Sequence, residues 1–352
     1  MSKSDDSDLV ILSTGRNYSS IDQYSYSFSS VSGFPRIILR TSKDQLSSEY
    51  ISNLGVFNGA FKLVPGDGWS FNIQFGSLIY RKAKKLLNGK IAHYTTFGLP
   101  ILNRHPENIV TIHDTFFLDP NDEAYSRYFN ISKHFLNRFL TFKNVVAPSE
   151  VVKKSLINYG FSHDIEVIYL APRPEIKFLS DKEGARKALG LPLDKTLILS
   201  VSSGLRRKNL KVVQEVIHRL DSQFRVVRVG PPLAGAINLG QLPIEKLNFA
   251  YNACDVFLFP TLAEGYGKPL IESMATGIPI VATDLPITRE VAGEAAILTI
   301  PDLTGCLEGI SRAIDLSEDL RVKGFRRSEK FSEKQFSDHV NSYYSCILKR
   351  VN

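Results

Sequence analysis

The chain has 352 residues, of which 43% are apolar and 22% charged, and its 43 Lys and Arg against 36 Asp and Glu give a net charge of +7. That length holds two domains with complete hydrophobic cores, and the composition is that of a globular protein rather than a disordered or fibrous one. No run of about 18 apolar residues occurs, which excludes a spanning helix, and no basic tail or nucleic-acid module is present, which leaves nucleotides, sugar phosphates and lipid headgroups as anionic partners.

From residue 8 to about 170, apolar runs alternate with helical patterns, as a parallel sheet with crossover helices requires. The strands are expected at 9–13, 36–40, 62–64, 91–94, 109–113, 145–148 and 166–169. Met1 to Asp8 carry no signal-peptide apolar segment, and Cys254, Cys306 and Cys346 are odd in number and far apart, against a disulfide framework or a zinc site. A cytoplasmic location follows as the expectation. The Ser- and Tyr-rich tract 19–32 reads as a mobile loop or a long surface connection. Residues 69–90 place Trp69, Phe71, Phe75, Leu78 and Ile79 before Arg81, Lys82, Lys84 and Lys85. That pattern fits a core-facing amphipathic helix or one lying on an anionic membrane face.

Ile109 to Asp114 form a strand that ends in a histidine, and side chains just beyond strand ends face the ligand crevice of open α/β sheets. His113 is thus placed for function, with a local backbone bond as the alternative role. Ser149 before Glu150 reads as a helix N-cap. Ala171-Pro172-Arg173-Pro174 can continue neither helix nor ladder strand and serves as the interdomain linker.

A second alternation opens with a helix over 182–189 and a strand over 196–202. Gly204-Leu205-Arg206-Arg207-Lys208 then precede an amphipathic helix at 210–220, and cations in a glycine-containing turn at a helix start form an anion site. Strands follow at 225–230 and 255–260. Glu264-Gly265-Tyr266-Gly267-Lys268-Pro269-Leu270-Ile271-Glu272 then read as a glycine turn entering a helix over 268–275, with Pro269 in its first turn and Gly277 at its end. Glycines that admit close backbone approach, together with a helix dipole, make a phosphate seat. Carboxylates beside a diphosphate repel it as charges, so Glu264 and Glu272 are expected to accept hydroxyl groups of the sugars on either side, with a solvated residue and a helix-surface residue around an ordinary strand–helix turn as the alternative. Strands at 280–282 and 296–300 and helices at 303–315, 317–328 and 333–350 complete the chain.

The run Glu264, Gly265, Tyr266, Gly267, Pro269, Glu272, continued by Ala275, Gly277, Pro279, Val281 and Asp284, resembles the donor-site motif of retaining GT-B glycosyltransferases of glycosyltransferase family 4 (glycosyl transferases group 1). The resemblance implies two Rossmann-like domains facing each other across a cleft. An acceptor domain would span 1–172, with 333–352 crossing back to it, and a nucleotide-sugar domain would span 173–332. It implies a retaining, metal-independent transfer of a mannose- or glucose-type hexose from a nucleotide-diphosphate sugar to a glycan or lipid-linked acceptor, without a cofactor. Glu264 and His113 would serve the transferred sugar, and Glu272 the ribose. Lys208, Arg207 and the backbone of Gly265, Tyr266, Gly267, Lys268, Pro269 and Leu270 would serve the phosphates, and the stretch near Gln241 the base. Ser203 stands where the family carries an arginine, so Arg206 or Arg207 is expected in its place. A sugar-nucleotide epimerase, a phosphorylase and a non-catalytic nucleotide-sugar-binding partner are the alternatives.

Overall fold

A computed structural model describes residues 8–13, 20–40, 55–58, 81–96, 101–116, 137, 140–161 and 164–351. The chain divides into two compact units, Met1–Ile168 together with Phe336–Asn352, and Tyr169–Gln335.

In the first unit a parallel sheet of seven described strands comprises β1 (Leu9–Ser13), β2 (Arg36–Arg40), β3 (Gly55–Asn58), β4 (Ile91–Tyr94), β5 (Ile109–Thr111), β6 (Asn144–Ala147) and β7 (Ile165–Val167), in the order β3-β2-β1-β4-β5-β6-β7. Central strands such as β1, β4 and β5 are buried along their whole length, which is why they are rich in apolar residues, with Ser13, His93 and Thr111 as buried polar exceptions. The short β3 pairs with β2 from Ile37↔Gly55 onward at the sheet edge, where the expected strand was 62–64; that stretch lies outside the described residues.

The tract expected as a loop is instead helix α1 (Ser20–Ser32). Its serines hide the period, but Tyr24 and Phe28 are four apart, buried, and in ring contact with centroids 4.6 Å apart. Their burial outweighs the low helix propensity of the serines between them. Helix α2 (Arg81–Leu86) buries Ala83 and exposes Lys84 and Lys85; the aromatic stretch 69–80 before it lies outside the described residues. Helix α3 (Glu150–Asn158) starts at Ser149, whose hydroxyl accepts from the Val152 N–H at 3.2 Å.

The second unit opens with helix α4 (Lys182–Ala188) and carries a parallel sheet of β8 (Thr196–Val201), β9 (Phe224–Val229), β10 (Ile237–Gly240), β11 (Val256–Phe259), β12 (Ile280–Thr283) and β13 (Ala296–Thr299). Their order is β10-β9-β8-β11-β12-β13. The chain therefore winds outward from β8 in one direction, then returns beside it and winds outward in the other. Between β8 and β11 lies the switch point where loops diverge and leave a crevice at the carboxyl ends of the strands.

Helices α5 (Leu210–Arg219), α6 (Ile244–Ala253), α7 (Lys268–Thr276), α8 (Pro286–Val291), α9 (Leu303–Asp315) and α10 (Ser317–Ser328) cover this sheet. The last helix, α11 (Glu333–Lys349), returns to the first unit, burying Phe336, Val340, Tyr344 and Ile347 at spacings of four, four and three. Its Tyr344 hydroxyl lies 2.6 Å from His93 Nδ1, and His93 Nε2 lies 2.8 Å from the Thr111 hydroxyl.

Candidate functional site

The loops leaving β8 and β11 meet at the switch point. After β8 the chain forms a short 3-10 turn, Arg206–Lys208, closed by Asn209 in the left-handed region at φ 53° before α5 begins. After β11 it runs through Pro260 and Thr261 to the glycine turn. The two loops are tied by backbone: the carbonyl of Arg207 accepts from the Leu262 N–H at 2.7 Å and from the Thr261 hydroxyl at 2.9 Å. This clamp sets Lys208 against Glu264, and the two side chains form an ion pair with only 11% and 14% of their surfaces exposed. The Lys208 ammonium also stands 5.8 Å above the Phe259 ring, a cation–π distance. Ser200, Ser202, Lys208, Phe259, Pro260 and Thr261 line one recess at this point.

Helix α7 starts from Gly267 in the left-handed region at φ 81°, and no side chain caps it. A Cβ at Gly267 would approach Leu270 Cδ1 to 3.0 Å, so the position takes glycine on both conformational and steric grounds. Pro269 lies in the first turn and Gly277, at φ 72°, ends the helix by donating to the carbonyls of Met274 and Ser273. Tyr266 is buried and donates its hydroxyl to the Leu170 carbonyl at 2.5 Å, which anchors the glycine turn from behind. Its ring lies beside that of Tyr169. Tyr266 is thus part of the turn's support.

Glu272 lies one turn inside α7. It is 2% exposed, and its carboxylate accepts from Arg173 Nε at 2.7 Å and from the Tyr251 hydroxyl at 3.0 Å. Glu264 is held by Lys208. Each acid thus faces a cation, Arg173 for Glu272 and Lys208 for Glu264, and Glu272 also accepts from the Tyr251 hydroxyl. Carboxylates this far from solvent require a partner, and Arg173 from the proline-flanked linker and Lys208 from the β8 turn supply it. Neither partner was legible in advance as a partner, because each lies 56 or more residues away in the chain. Lys268, half-buried at the helix start, has its pKa lowered to about 8 by desolvation, with Glu272 acting against the shift.

His113 follows β5 in the first unit. Its Nε2 lies 2.8 Å from the Thr95 carbonyl, so that nitrogen carries the proton, and its ring meets Tyr24 edge-on at 4.5 Å. Desolvation lowers its pKa to about 4 against the raising effect of the Thr95 carbonyl, and the imidazole is neutral at physiological pH. Gln241 is exposed just beyond β10, at the edge of the second sheet, two strands away from β8. The structure thus brings Lys208, Glu264 and the β11–α7 turn together, with Arg207 contributing its carbonyl to the clamp, while Glu272 faces the linker and Gln241 stands apart at the rim. Thr261 was missed in the sequence, being a threonine with no periodic signal.

Among the described residues no group of three or more His, Cys, Asp or Glu side chains is placed to hold a metal ion.

Residues 181–322 match the family Glycosyl transferases group 1. The O-antigen chain mannosyltransferase B of Escherichia coli is 30% identical over 113 residues, an alignment that takes in 30% of this chain and 29% of that protein. The chain therefore aligns with about three tenths of the length of this curated relative. Two solved structures superpose on nearly the whole chain. Sucrose-phosphate synthase from Thermosynechococcus elongatus does so with a TM-score of 0.78 at 15% identity, covering 98% of this chain and 100% of that one. Anabaena HepE in complex with UDP and glucose does so with a TM-score of 0.76 at 16% identity, covering 96% and 99%. At such identities the likeness is one of fold: two parallel-sheet α/β domains of the GT-B type.

Proposed function

We propose that the chain is a retaining glycosyltransferase that moves a hexose from a nucleotide-diphosphate sugar to a hydroxyl of a glycan or lipid-linked acceptor. The observation that carries this reading is the Lys208–Glu264 pair, clamped at the switch point beside the start of α7. In this reaction the bond between the sugar's anomeric carbon and the β-phosphate oxygen breaks and the acceptor oxygen takes its place on the same face. The acceptor proton passes to the leaving phosphate oxygen. Negative charge grows on that phosphate, and Lys208 with the amino end of α7 stands ready to stabilise it where it forms. With charge supplied by the protein, a divalent ion is not needed. Glu264 holds Lys208 while the site waits and turns to the sugar's hydroxyls once the phosphate claims the ammonium. Glu272 is assigned the ribose, which would share it with Tyr251 and Arg173.

The mannosyltransferase named among the relatives favours a mannose-type donor, and HepE, solved with UDP and glucose, favours a glucose-type one; both are hexoses. The exposed Arg81, Lys84 and Lys85 of α2 fit the peripheral anionic membrane contact that a lipid-linked acceptor calls for.

The test is a donor screen by thermal shift, in which a ligand at ~100 times its Kd adds about 2.7 kcal/mol of stability. It is followed by acceptor-dependent release of nucleoside diphosphate, with and without EDTA, and by NMR of the product's anomeric configuration. Binding without acceptor-dependent release would make the chain a sensor, an EDTA-sensitive rate would remove metal independence, and an inverted product would remove retention.

A further inference from the structure

Strand β9 carries an anomaly. A strand in the body of a parallel sheet is packed on both faces and is expected to be apolar, and Val226, Val227 and Val229 obey that rule. Arg228, among them, is 0% exposed. Its guanidinium donates to the Pro231 carbonyl at 3.0 Å, the Ser200 carbonyl at 3.1 Å, the Ser200 hydroxyl at 3.3 Å and the Ser202 carbonyl at 2.7 Å. None of these is a carboxylate. Burial lowers the pKa of Arg228 only to about 10, so the group remains a cation at neutral pH.

A buried cation held by neutral acceptors is costly to desolvate. The neighbourhood is nevertheless shaped to hold it. Gly230 has φ +125°, and a Cβ there would come within 2.1 Å of the Ser202 carbonyl and 2.9 Å of Arg228 Nη2. Ser200 and Ser202 line the recess that also contains Lys208. Because the peptide bond is planar and trans, a Ser202 carbonyl aimed at Arg228 sends the Ser203 N–H in the opposite direction.

We propose that Arg228 is a positioning residue of the diphosphate seat: it fixes the Ser202–Ser203 peptide and supplies standing positive charge beneath the β8 turn, and the bound nucleotide's diphosphate is its counter-ion. This inference rests on the nucleotide-sugar reading of the same site. It also gives a source for the positive charge absent at Ser203 that lies on the neighbouring strand, with Arg206 exposed on the turn itself.

The test compares the parent with R228K, R228Q and R228M by titration calorimetry with UDP and GDP at low and high salt. R228Q and R228M both remove the charge, one keeping a donor and the other keeping length, so either one that folds carries the test. Loss of the charge should weaken nucleoside diphosphate binding about tenfold and flatten its salt dependence, while R228K stays within about threefold of the parent at the parent's slope. Equal losses in all three variants with an unchanged salt slope would reduce Arg228 to a packing residue and overturn the inference, as would unchanged binding in the charge-removed variants. A parent that binds neither nucleotide overturns the donor reading itself, and this inference with it.

Discussion

At the scale of single residues, the Lys208–Glu264 pair makes binding and stability separable. Lys208→Met strands a carboxylate that is only 14% exposed, an unpaired charge that costs about 3 kcal/mol or more. We expect a lowered melting temperature and loss of donor binding together. Adding Glu264→Gln should restore the melting temperature without restoring binding, and calorimetry beside a thermal melt reads both. The histidines set a pH dependence of a different kind. His93 and His113 have pKa values lowered by burial to about 3 and about 4, below the ordinary 6.5. The unfolded chain therefore takes up protons that the folded chain refuses as pH falls through 6.5, and each site sheds up to about 1.4 kcal/mol per pH unit until its folded value is reached. Urea midpoints should fall from pH 7 to pH 4, and His93→Gln should make that fall shallower. A midpoint that is flat over this range would remove both histidines from the account.

At the scale of elements, α7 shows what was readable in the sequence and why. Its boundaries follow from local chemistry: Gly267 at positive φ, Pro269 in the first turn and Gly277 as the left-handed cap. Gly277 has a second duty, since a Cβ there would lie 2.4 Å from Phe325 Cζ on α10. Gly277→Ala thus meets conformational strain and a packed ring at once, and we expect a loss of about 2 kcal/mol or more, read as a denaturant midpoint shift at unchanged slope. Helix α1 was not legible, because its serines dilute the apolar period, which among the described residues Tyr24 and Phe28 carry. Arg228 was likewise hidden, since a charged residue in an apolar strand gives no sign of which carbonyls will receive it.

At the scale of the whole chain, α11 belongs to the core of the first unit although it is last in sequence. Removing residues 336–352 exposes the faces covered by Phe336, Val340, Tyr344 and Ile347 and leaves His93 Nδ1 without its phenol. At roughly 1.5–3 kcal/mol per buried side chain the loss rivals the stability of an ordinary domain. The truncated chain should lose cooperative unfolding of the first unit, seen as protease sensitivity within residues 9–167. Tyr344→Phe, which removes only the hydroxyl, should cost about 1–3 kcal/mol and keep the fold.

The sequence by itself determined the alternation of strands and helices, the glycine turn before α7 and the cations before α5, because periodicity, capping and φ preferences act over a few residues. Only the tertiary structure decided that Lys208 meets Glu264, that Arg173 and Tyr251 claim Glu272, and that Arg228 is held by Ser200, Ser202 and Pro231. Ion pairs and buried hydrogen bonds are set by which loops the sheet order brings side by side, and strand order is fixed by packing across the whole unit rather than by any local stretch of chain.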